Sequence, residues 1–104
     1  MKTKWRKLWI KALLSGEYDQ TFGSLHTKEG YCCLGVLCDV VEPKVKWKWR
    51  HLPHCFYFQD EDCYPPKDLL KKVGLSKKSM GVLANMNDDG KSFKEIAAHI
   101  VKYR

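Results

Sequence analysis

The chain has 104 residues, 44% of them hydrophobic and 30% charged, which supplies one ordinary core, is too little for two, and excludes the composition of disordered segments. No apolar run nears the roughly 18 residues of a membrane span, and Arg6, Lys7 and Lys11 interrupt the opening where a secretory leader needs a clean apolar stretch. Nineteen Lys and Arg against twelve Asp and Glu give a formal charge of +7, a bias that attracts anionic partners: nucleic acid, free nucleotides or acidic proteins.

A single α+β domain over residues 1–104 is therefore expected. Trp5, Leu8, Trp9, Ala12 and Leu13 recur at helical spacing, predicting a helix over about residues 3–15 with Gly16 as its stop. Gly23 and Gly30 bracket SLHTKE, which reads as a strand or hairpin arm. The run YCCLGVLCDVVE has no visible period. A buried helix is favoured, with Cys33 above Leu37, Cys32 above Val36 and Val40, Asp39 at the polar margin, and Gly35 allowing close packing before Pro43 ends it.

Lys44 to Arg50 alternates, with Val45, Trp47 and Trp49 on one face and Lys44, Lys46, Lys48 and Arg50 on the other, which predicts a strand. The breaker HLPH leads to a second strand, Cys55 to Phe58, that would pair with it antiparallel. Asp60, Glu61 and Asp62 read as a loop. From Pro65 onward the pattern is helical, with a helix through DLLKKV stopped by Gly74 and another around Lys77 to Met86. Asn87 to Gly90 reads as a turn. Ser92 and Glu95 form a capping box for a last helix that buries Phe93, Ile96, Ala97 and Ile100. Several helices on a short antiparallel sheet follow.

The five cysteines cannot all pair and lack the spacing of a disulfide scaffold, so reduced thiols in the cytoplasm are expected. Cys32, Cys33 and Cys38 have poor spacing for a metal. His51, His54, Cys55 and Cys63 make a better ligand set, yet they match no strong zinc template, and no metal or other cofactor is assigned. A thiol at the start of the cysteine helix would gain nucleophilicity from the helix dipole, but Leu34, Val36 and Leu37 around it look like core. Cysteine as a small buried hydrophobe is the default reading.

The interleaved lysines and tryptophans carry more functional weight, because cations neutralise phosphates while indole faces stack on bases. Burial of the tryptophan face in the core is the competing reading. Asn87 and Asp88 offer hydrogen bonds to a ligand, although turn formation explains them adequately. The chain has no Walker loop, dinucleotide glycine fingerprint or G-x-S-x-G elbow, and no catalytic residue is assigned.

Three pieces together, WIKALLSGEYDQTFGSL, CCLGVLCD and LANMNDDGKSFKEIAAHI, resemble a group of small, largely uncharacterised proteins of bacteriophages and phage-derived bacterial genes. The resemblance implies origin more than activity, and it implies the cytoplasm of an infected host. Small phage proteins of this kind often act by binding nucleotide immune signals, nucleic acid or a host protein. The expectation is a non-catalytic binder of an anionic nucleotide. Lys46, Lys48 and Arg50 would meet phosphates, Trp47, Trp49 or Tyr18 would stack, and Gln20, Asn87 or Asp88 would take base or ribose edges. A homo-oligomer would help to close such a site. A nucleic-acid-binding module and an inhibitor docked on a host protein are the alternatives.

Overall fold

The computed structural model describes residues 1–52 and 54–103. Helix α1 (Thr3–Leu14) forms on the expected spacing and buries Trp9 and Leu13, although Leu8, expected on the same stripe, lies exposed. The chain then crosses to a tight hairpin of β1 (His26–Thr27) and β2 (Gly30–Tyr31), with Lys28 and Glu29 at its tip.

The aperiodic cysteine run is a helix, α2 (Cys33–Val41), and seven of its nine residues are buried. A helix buried all round has no polar face to give it a period, which is why its pattern was ambiguous. Gly35 serves the close approach expected of it, since a Cβ there would run into the backbone carbonyl of Leu25. At the helix start the Cys32 sulfur accepts the Gly35 N–H at 3.4 Å.

Strands β3 (Lys48–Arg50) and β4 (Cys55–Tyr57) pair antiparallel as expected. The first is shorter than its alternation suggested: Pro43 and a turn closed by the Val45 N–H on the Glu42 carbonyl, 3.1 Å, occupy its beginning. Pro53 of the expected breaker lies outside the described residues. The sheet order is β2–β1–β4–β3, antiparallel throughout.

Helices α3 (Lys67–Val73), α4 (Lys77–Asp88) and α5 (Phe93–Ile100) complete an α+β fold. Gly74, at φ +73°, ends α3, with its own N–H and that of Leu75 both returning to the Leu70 carbonyl. The turn expected at Asn87 starts two residues late, because α4 continues through Asp88 with Asn87 facing inward. The Ser92–Glu95 capping box opens α5.

The core gathers Trp9, Leu25, α2, Phe58, Leu69, Leu70, Val73, Leu83 and the inner face of α5. Trp9 also donates its indole N–H to the Cys33 carbonyl at 2.9 Å, tying α1 to the first turn of α2. Among the described residues no helix is long and apolar enough to cross a membrane.

Candidate functional site

Strand register builds a row of rings across all four strands. Tyr31 pairs with His26, His26 with Phe56, and Phe56 with Trp49. Cross-strand partners project to the same face. Their rings follow at 3.7, 4.3 and 5.0 Å between centroids, the first two stacked and the last edge-on. His26 is thus sandwiched between Tyr31 and Phe56, while Trp47 meets it edge-on at 5.0 Å.

The inner end of this row is anchored on Asp39. Tyr18 donates its hydroxyl to one carboxylate oxygen at 2.6 Å and Trp47 its indole N–H to the other at 3.3 Å. Burial, reinforced by Asp39, pushes the Tyr18 phenol well above its usual range, so it remains a donor. The His26 ring lies 2.7 Å through Nδ1 from the Gly30 carbonyl. A carbonyl only accepts, so Nδ1 carries the proton and neutral His26 has Nε2 as its acceptor. Burial lowers the His26 pKa, partly opposed by Gly30 and Asp39.

The outer end is different. Tyr31 and Trp47 pack against the core, whereas Trp49 is half-buried on the edge strand among Phe56, His51 and His54. The Lys28 ammonium, reaching from the β1–β2 tip, sits 4.6 Å above the Trp49 ring. Lys46, Lys48 and Arg50 are exposed and alternate with the half-buried tryptophans. Arg50 lies over Tyr57 at 4.1 Å and pairs with Asp60 at 3.2 Å. Of the cations expected to share a site with Trp47 and Trp49, Lys48 and Arg50 therefore belong to the opposite face of β3, Lys46 precedes the strand, and the cation over the Trp49 ring is Lys28.

Gln20, Asn87 and Asp88 come together elsewhere, as a clamp between the 20–23 segment, α2 and α4. Asn87 is 1% exposed. Its carbonyl oxygen accepts from Gln20 at 2.9 Å and from the Cys33 N–H at 3.1 Å, and its amide donates to the Thr21 carbonyl at 2.8 Å. Gln20 also donates to the Lys91 carbonyl, and Asp88 accepts the Gly23 N–H. Asn87 is thereby committed to the fold. Exposed Asp88 borders a small cavity of about 120 Å³ with Cys32 and Cys63, and Tyr18 borders another of about 270 Å³ on α1. None of the four described cavities is lined by Trp47, Trp49, Lys46, Lys48 or Arg50.

Cys32, Cys33 and Cys38 are buried in the core. Burial pushes the Cys32 thiol up to about 11 and raises those of Cys33 and Cys38 well above the ordinary thiol value, so none is poised as a thiolate. His51 and His54 lie 6.2 Å apart beside Trp49. Among the described residues no three His, Cys, Asp or Glu side chains are grouped to hold a metal ion.

Sequence reading overlooked His26, Lys28, Tyr31, Asp39 and Phe56. One signal was available: a two-residue hairpin loop at Lys28–Glu29 makes His26 and Tyr31 cross-strand partners.

Fold and face together define a small α+β domain with an aromatic, cation-edged sheet surface. The chain belongs to the family described as Domain of unknown function (DUF8296), whose model matches residues 1–104. No curated protein and no solved structure gives a significant match.

Proposed function

We propose that the protein is a non-catalytic binding domain for an anionic, nucleotide-bearing ligand, with Trp49 and Lys28 at the centre of its site. The observation that carries this reading is the Lys28 ammonium held over the face of a tryptophan that stands off the core. A cation on an indole face is a modest attraction of about 0.5–1 kcal/mol when exposed, so a flat base can replace it. Stacking a base on an aromatic side chain contributes about 1–3 kcal/mol, and the displaced ammonium is then free to meet the adjoining phosphate. His51 and His54 beside Trp49 offer further ring nitrogens to the ligand. Trp5 also carries lysines, Lys4 and Lys72, over its ring, but it packs on the core, which marks it as a brace.

The formal charge of +7 supports the same reading by drawing polyanions to the surface. Cyclic nucleotide signals raised against phage and nucleic-acid strands share this base-and-phosphate chemistry, and sequestering such a ligand requires no turnover. Native mass spectrometry against cyclic dinucleotides, cyclic oligonucleotides, ADP-ribose derivatives and short oligonucleotides tests the proposal. At least one class is expected to add without being modified, and Trp49→Ala should weaken its binding by roughly 5- to 150-fold. No adduct with any class, or equal binding by the folded Trp49→Ala protein, would overturn it.

A further inference from the structure

We infer that the ligand of this face is a single-stranded nucleic acid laid along the free edge of β3, an inference that rests on the nucleotide reading above. The two edges of the sheet differ. Beyond β2, residues 19–21 form a further ladder: Tyr31 donates to the Asp19 carbonyl at 2.8 Å and Thr21 to the Tyr31 carbonyl at 2.9 Å. Beyond β3, no segment among the described residues pairs. Trp49 therefore stands on the open edge, with Lys28 on its own face, Lys48 on the other and exposed Lys46 just ahead of the strand.

A compact nucleotide stacked on Trp49 reaches Lys28 but not the lysines around the edge. An extended strand reaches both, with bases toward the aromatic face and successive phosphates following Lys46, Lys48 and Arg50. Alternate residues of an extended chain recur about every 6.6 Å, a spacing commensurate with consecutive phosphates of a stretched strand. The site is also open, since Trp49 is only half-buried and stands on the edge strand of the sheet. An open platform binds one base weakly and gains affinity by adding contacts along a polymer. An acidic peptide would satisfy the lysines but leave the Trp49 face unused, so the aromatic row favours nucleic acid.

Fluorescence anisotropy with labelled thymidine oligomers of about 4, 8 and 16 nucleotides, at about 50 and 200 mM salt, tests this. Affinity is expected to rise with length and fall with salt. Combined Lys46→Ala and Lys48→Ala replacement should reduce the salt slope by about 1.4, whereas Trp49→Ala should weaken binding at an unchanged slope. These exposed lysines carry no core packing, and circular dichroism checks the fold of each variant. A cyclic dinucleotide that binds as tightly as the longest oligomer, with a flat salt response, would overturn the strand and leave the nucleotide reading intact. Polyglutamate binding as tightly as the oligomer and competing with it would overturn the strand in favour of an acidic peptide. Failure of all nucleotides and oligomers to bind would overturn both.

Discussion

Asn87 shows how much one side chain can hold. Replacing it by Ala leaves the buried Cys33 N–H and Thr21 carbonyl without their partners, and an unpaired buried group costs about 1–3 kcal/mol. Asn87→Ala should therefore destabilise the fold by about 3 kcal/mol or more, read as a fall in the urea midpoint. The cysteines should separate in the same assay. Cys32 already acts as the cap of α2 through sulfur, and serine is a better capping residue, so Cys32→Ser should change stability by less than about 1 kcal/mol. Cys38 is fully buried, and Cys38→Ser should cost about 1–3 kcal/mol by burying a hydroxyl. In the native protein an alkylating reagent should modify exposed Cys63 first, with Cys32, Cys33 and Cys38 reacting only on unfolding. Intact-mass measurement after a short pulse checks the order.

At the scale of elements, the sheet is small and depends on its rings. Strands of two or three residues make few ladder bonds, while stacked aromatic pairs add about 0.5–1.5 kcal/mol each beyond area burial. His26 sits in the middle of that row, and its pKa is lowered in the fold. The unfolded chain then binds more protons over the window between the folded and unfolded His26 values, so stability should fall as pH drops from neutrality through that window. Tyr18, Tyr31 and Asp39 face this region. Tyr18 and Tyr31, both shifted upward, stay protonated throughout it. His26→Phe keeps a ring in the stack and removes the titration. Its urea midpoint should decline less than that of the unaltered protein between neutral and mildly acidic pH, and equal declines would assign the effect to other groups.

For the whole molecule, charge imbalance outweighs charge pairing. The three ion pairs found among the described residues all have well-exposed side chains, 39–82% accessible, and exposed pairs contribute about 0–1 kcal/mol. Against them stands the mutual repulsion of a chain at +7. Moderate salt screens that repulsion over about 10 Å, so the melting temperature should rise between low and moderate sodium chloride. A fall would show that the ion pairs matter more than the net charge.

Much of this molecule was legible from residue order because the deciding interactions are local. Helix α1, the Ser92–Glu95 capping box, the Gly74 stop and the pairing of β3 with β4 follow from spacing and caps within a few residues. The +7 charge and the alternation of Trp47 and Trp49 with lysines were equally plain. The candidate site was legible only in part, since its parts are brought together across long separations. Asn87 meets Cys33 across 54 residues and Tyr18 meets Asp39 across 21. Alternation distinguishes two faces of a strand, but not which cation arrives from another strand to share one of them. Only the register of β1 with β4 and of β4 with β3 put Lys28 over Trp49 and Phe56 against the second face of His26, because those cross-strand neighbours are chosen by long-range pairing.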